Sequence, residues 1–138
     1  MMMRPIFITG QDRRRLQELI DVARAQPNGH ARYIDALERE VSRSCIVESD
    51  SVASDVVTMN SRVRLRDMDS GDIEIYTLVY PAMADPAENR ISVLAPIGTA
   101  IVGSRAGDVI EWPVPAGRRR LLVEEVVYQP EKAGAPHL

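Results

Sequence analysis

The run Arg62-Val63-Arg64-Leu65-Arg66, the turn residues Asp69-Ser70-Gly71-Asp72 and the run Ile73-Glu74-Ile75-Tyr76-Thr77-Leu78-Val79-Tyr80 together decide the fold class. In the first run apolar and basic residues alternate with the period of two that a strand imposes. Val63 and Leu65 therefore share one face and the three arginines the other. The turn reverses the chain, and the second run reads as the returning strand. Its apolar residues fall on both faces, which suits a central strand or one with a helix packed over it. Pro81 stops it.

Downstream of this hairpin, Arg90 to Leu94, Val109 to Trp112 and Leu121 to Tyr128 read as further strands. Between them, Pro96 to Gly103 reads as a brief helix with proline in its first turn and glycine at its end, and Gly107-Asp108 opens the next turn. The expected second half is an antiparallel sheet crossed by one short helix.

Upstream the pattern changes. Glu48 to Asp55, ESDSVASD, is small and polar and reads as a linker. Thr9-Gly10-Gln11-Asp12 forms a weak capping box, after which Leu16, Leu19, Ile20 and Ala23 mark one helical stripe and Ile34, Leu37, Val41 and Cys45 a second. Gln26-Pro27-Asn28-Gly29 separates the two, and Arg4 to Thr9 suits an edge strand or an extended arm. The fold class expected is α+β: a short N-terminal antiparallel helical hairpin with its linker in residues 1–54, and a sheet domain in residues 55–138.

The chain of 138 residues is 45% hydrophobic and 27% charged, which fits a globular protein able to offset its chain entropy with one core. The net charge of −3 opposes sequence-independent nucleic-acid binding, which needs many cations against phosphates, and favours a protein partner. Of the 17 basic residues only Lys132 is lysine, and arginine suits bidentate pairing with carboxylates at interfaces. No run is long and apolar enough to span a bilayer and the start lacks a secretory signal, so a cytoplasmic protein without membrane contact is expected. Cys45 stands alone and is expected to be a buried or half-buried structural thiol.

Three linked segments carry a family resemblance: Asp55-Val56-Val57-Thr58-Met59-Asn60-Ser61-Arg62-Val63, Thr77-Leu78-Val79-Tyr80-Pro81, and Ser92-Val93-Leu94-Ala95-Pro96-Ile97-Gly98. Gly103 through Gly107-Asp108 and Tyr128-Gln129-Pro130-Glu131 extend it. In this order the segments resemble the Rnk family, the regulators of nucleoside diphosphate kinase, within the Gre-factor superfamily. The resemblance implies a C-terminal domain shaped like FK506-binding proteins behind a short helical hairpin. It also implies binding to RNA polymerase near its secondary channel, with DNA near only through the polymerase. Gre cleavage factors carry acidic residues at a long hairpin's tip to help hold a catalytic magnesium ion. The corresponding tip here, Ala25-Gln26-Pro27-Asn28-Gly29-His30, holds no carboxylate, so no transcript cleavage is expected.

In Gre factors an acidic residue followed by Ser-Pro is implicated in docking, and the matching positions here are Leu94, Ala95 and Pro96. An apolar docking edge of Leu94, Pro96 and Ile97 is the expectation that replaces the polar contact. Asp35 and Glu38, one helical turn apart, are the candidate functional residues of the hairpin, although solvated charges with Arg39 and Arg43 nearby are the ordinary reading of such a pair. Arg118-Arg119-Arg120 and the row Arg62, Arg64, Arg66 suit either a basic patch for an acidic surface or a solvated sheet face.

His30 and His137 have no ligand-spaced partners, so no metal and no cofactor are expected, and no catalytic triad or phosphate loop can be assembled. The enzyme alternative is a peptidyl-prolyl isomerase, suggested by the FK506-binding-like shape that the resemblance implies. It would need an aromatic cradle from a chain holding one Trp, four Tyr and one Phe. A binding module for some other protein partner is the remaining alternative. No small-molecule substrate is expected.

Overall fold

A computed structural model of the chain describes residues 4–26 and 31–134. The chain enters as strand β1 (Phe7–Thr9) and passes directly into helix α1 (Gly10–Arg24). Thr9 is the N-cap, with extended backbone, and its Oγ1 accepts from the Asp12 amide at 3.1 Å. That is the first half of the capping box. The Asp12 carboxylate, 1% exposed, reaches further and accepts the amide of Met59 at 3.0 Å, across 47 residues of chain. The start of α1 is thereby fixed to the segment that opens the sheet.

Helix α2 (Ala31–Arg43) packs on α1. Leu16 and Ile20 from one, and Ile34, Leu37 and Val41 from the other, are buried. Strand β2 (Cys45–Val47) then pairs in parallel with β1, Phe7 opposite Cys45 and Thr9 opposite Val47. This corrects the helical placement of Cys45. The Cys45 amide leaves the helix to donate to the Ile6 carbonyl at 2.8 Å, and its thiol is exposed.

Strands β3 (Arg62–Asp67) and β4 (Ile73–Val79) form the hairpin read from the sequence, with Val63 opposite Tyr76 and Leu65 opposite Glu74. Val63 and Leu65 are buried. Strand β5 is Arg90–Ser92, helix α3 Pro96–Ile101, strand β6 Val109–Val114 and strand β7 Gly117–Tyr128. A last turn of helix, α4, covers Pro130–Ala133. The five-stranded sheet has the order β5-β4-β3-β7-β6.

The expectation of a wholly antiparallel sheet is corrected: β5 runs parallel to β4, Thr77 opposite Arg90 and Val79 opposite Ser92. The cause lies between them. Two single 3-10 turns, each opened by a proline (Pro81–Met83 and Pro86–Glu88), with Asn89 in the left-handed region, carry the chain back before it pairs again. Such a connection replaces the tight turn that an antiparallel neighbour would require. β7 also begins earlier than its apolar run, because Arg118, Arg119 and Arg120 extend the pairing with β6.

One hydrophobic cluster joins both halves. Leu16, Ile20, Leu37 and Val41 belong to the same contiguous core as Met59, Val63, Leu78, Ile101 and Val123. Gly103 sits where the halves meet, at φ +77°; its amide donates to Val57 and its carbonyl accepts from Phe7. An added Cβ there would stand 3.1 Å from both the Ile6 Cβ and the Phe7 carbonyl oxygen.

Replacing Asp12 by Ala leaves the buried Met59 amide without its charged acceptor, and such a loss costs about 2–3 kcal/mol. Asp12→Asn, which keeps a carbonyl acceptor, is expected to lose less. Urea unfolding followed by far-ultraviolet circular dichroism measures both.

Candidate functional site

The expected docking edge lies at the start of α3. Its geometry depends on a close approach of that helix to β5. Gly98 packs directly on Ser92: a Cβ at position 98 would stand 2.1 Å from the Ser92 carbonyl oxygen. Thr99, also buried, donates its hydroxyl to the Val93 carbonyl at 2.6 Å. Pro96 opens the helix, where its missing amide hydrogen leaves no bond unmade. These contacts hold Pro96 outward and exposed, whereas Leu94 and Ile97 are half-buried against the core.

Leu94 and Pro96 line one side of an open groove of about 820 Å³. The far side is the outer face of α2, with Arg32, Tyr33, Ala36, Arg39 and Glu40; Arg4, Thr99, Ala100, Glu111 and Pro115 complete the lining. Ile97 is not part of this lining. The structure therefore brings two of the three edge residues to one groove and leaves Ile97 outside its lining. The α2 wall was not apparent from the sequence, because the stripe that identifies the helix reports its buried face only.

Asp35 and Glu38 meet a single partner. The Arg24 Nη2 donates to Asp35 at 2.8 Å and to Glu38 at 2.5 Å, and these bonds hold the guanidinium above its ordinary value. An arginine from the last turn of α1 thus clamps both carboxylates of α2. All three side chains are substantially exposed, so solvent screening keeps the contribution to stability small. Among the described residues no group of His, Cys, Asp and Glu is arranged to hold a metal ion. Residues 27–30 of the expected hairpin tip, and His137, lie outside the described residues.

The sheet arginines are largely paired. Arg64 meets Glu125 and Arg66 meets Glu124, both at 2.6 Å; Arg118 meets Glu111 at 2.6 Å; Arg120 meets Asp69 at 3.0 Å. Arg119 bridges Asp67 and Glu74. Bonds from the Ser70 and Asp69 amides, more than Arg119 itself, depress the Asp67 carboxyl. Arg64 and Arg66 of the one row and Arg118 to Arg120 of the other accordingly form an ion-pair lattice in place of a basic patch.

The described aromatic side chains have separate surroundings. Phe7 lines a small cavity beside Val47 and Arg105, Tyr33 stands in the groove, and the Tyr76 hydroxyl bonds Glu74. Tyr80 lies beneath the Arg15 guanidinium, 4.4 Å from the ring centroid, and burial pushes its phenol well above the ordinary range.

Two family descriptions match the chain in succession: Rnk N-terminus over residues 4–47, and transcription elongation factor GreA/GreB, C-terminal part, over residues 52–128. The chain belongs to the Rnk branch of the Gre-factor family. The regulator of nucleoside diphosphate kinase of Escherichia coli (strain K12) is 43% identical over 119 residues, covering 85% of this chain and 88% of the relative. Transcription elongation factor GreA of Clostridium novyi (strain NT) is 36% identical over 90 residues, 65% of this chain but 57% of the relative. Among solved structures, a GreA/GreB elongation factor from Nitrosomonas europaea superposes with a TM-score of 0.73 at 38% identity, covering 91% of this chain and all of that one. The names of these relatives are those of regulators and transcription factors, not enzymes. In this Rnk-branch chain no helix among the described residues is long and apolar enough to cross a membrane.

Gly98→Ala is expected to destabilise the protein by about 3 kcal/mol or to displace α3, since a methyl cannot share space with a backbone oxygen. Urea unfolding gives the first outcome. Loss of the ordinary amide shifts of Leu94 to Ala100 in a two-dimensional NMR spectrum reveals the second.

Proposed function

We propose that this Rnk-branch chain docks on RNA polymerase near the secondary channel and regulates transcription without stimulating transcript cleavage. Residues 55–138 supply the grip, as a sheet domain of the FK506-binding-protein type. Residues 1–54 supply a blunt antiparallel hairpin. Occupancy of the channel entrance excludes other channel-binding factors by sterics alone, and the protein acts in the cytoplasm, where the polymerase works.

The observation that carries the cleavage-free reading is the Arg24 clamp on Asp35 and Glu38. A hard cation needs several oxygen ligands, usually carboxylates. The two α2 carboxylates nearest the hairpin end already serve a guanidinium, and the sequence from Ala25 to His30 adds none. Reach supports the same conclusion. The 15 residues of α1 extend about 22 Å at 1.5 Å per residue, too short to cross a deep channel. Support for the docking edge comes from Leu94 and Pro96, which share an open groove and leave Pro96 accessible.

Purified protein is expected to co-elute with core RNA polymerase, and Leu94→Glu with Pro96→Glu to weaken that association at least tenfold, about 1.4 kcal/mol. Backtracked elongation complexes incubated with it should keep their transcripts uncut. Absence of co-elution refutes the docking, and appearance of short 3′ cleavage products refutes the reading of the hairpin.

A further inference from the structure

Charge is distributed unevenly around the α2–α3 groove. Its two described carboxylates are occupied: Glu40 accepts from Arg43 at 2.9 Å, and Glu111 accepts from Arg118 at 2.6 Å. Arg4 is occupied as well, donating to the Ala100 carbonyl at 2.6 Å. Arg32 and Arg39 differ. Both are exposed on α2, and among the described residues neither has a carboxylate within ion-pair distance; Arg32 has only the Tyr33 ring, 5.4 Å from its centroid. Beside these two cations the lining has an apolar part: Ala36, Leu94, Pro96 and Ala100.

We infer that this groove is a docking surface for an acidic protein segment, whose apolar side chain seats on Leu94, Pro96 and Ala100 while flanking carboxylates meet Arg32 and Arg39. The inference rests on the docking reading above and specifies its chemistry: the polymerase element received there is acidic, and α2 takes part in the grip. Charge complementarity selects this occupant. A guanidinium fork matches a carboxylate in two parallel bonds, and seven positions separate Arg32 from Arg39, which is two helical turns and about 10 Å. Carboxylates spaced along an extended or helical segment can meet both at once. The open shape of the groove, together with the chain's net charge of −3, disfavours a long anionic polymer held by phosphates alone.

The intact chain is titrated against purified core polymerase at low and high salt. Arg32→Glu/Arg39→Glu should weaken binding at least tenfold at low salt. Arg32→Lys/Arg39→Lys, which keeps the charge, should lose clearly less. Arg13→Glu/Arg14→Glu makes the same change in net charge on α1, beside a different depression lined by Gln17 and Asp21, and should stay within about threefold. Equal losses from the two reversed pairs, or none from either, overturn the inference while leaving polymerase docking in place.

If the wild-type chain does not bind polymerase, the docking reading fails, and a second arm decides the groove by itself. A capped peptide of two leucines flanked by aspartates is titrated into the labelled chain by NMR. Amide shifts confined to α2 and Leu94–Ala100, absent with the asparagine version of the peptide, support the acidic site. Shifts elsewhere, or none, overturn it. Unchanged urea midpoints for each variant show that the fold is intact.

Discussion

A single buried carboxylate joins the two halves of this molecule. Asp12, in the first turn of α1, accepts the amide of Met59, the residue three before β3. At that position the carboxylate also faces the positive end of the helix dipole, so its charge is favoured where burial alone would oppose it. Because the same turn is capped by Thr9, at the end of β1, one short stretch ties β1, α1 and the sheet together. The pair α1 and α2 is therefore fixed to the sheet by more than the connecting chain. Its apolar stripe completes the core that covers the sheet, and the position of α2 relative to α3 follows from this.

The groove is a consequence of that arrangement. α2 stands beside α3 because both pack on one cluster, and α3 stands where it does because Gly98 allows it to rest on the Ser92 carbonyl. Two helices held close at their buried sides diverge at their exposed sides. Leu94 and Pro96 then face Arg32 and Arg39 across the gap, and side chains far apart in sequence share a surface that neither half has alone.

Arginine serves two purposes in this chain. On the sheet, Arg64, Arg66, Arg118, Arg119 and Arg120 are consumed by cross-strand carboxylates, and Arg24 and Arg43 are consumed within the helical pair. The paired ones hold edges and helix ends in register at modest energetic value, since most are exposed to water. The exposed α2 arginines lack such partners among the described residues, as do Arg13, Arg14, Arg62 and Arg90, and what sets Arg32 and Arg39 apart is their place on the groove.

The local periods in the sequence determined the elements. Alternation at Arg62 to Arg66 and the stripes Leu16-Leu19-Ile20 and Ile34-Leu37-Val41 correspond to observed strand and helices, because burial of one face leaves its period in the chain. Pro96 and Gly103 likewise marked the ends of α3, and the ordered motifs carried the family. Several things needed the tertiary structure. Cys45 follows helical spacing yet pairs in a parallel strand, because a partner strand 38 residues earlier, at Phe7, offers its backbone. The parallel direction of β5 depends on how the prolines at 81 and 86 redirect the chain, which has no periodic signature. The capture of Asp35 and Glu38 by Arg24, the release of Arg32 and Arg39, and the groove between α2 and α3 are all relations between distant exposed residues. Exposed positions leave no period in a sequence, so only the packing of the elements decides which of them meet.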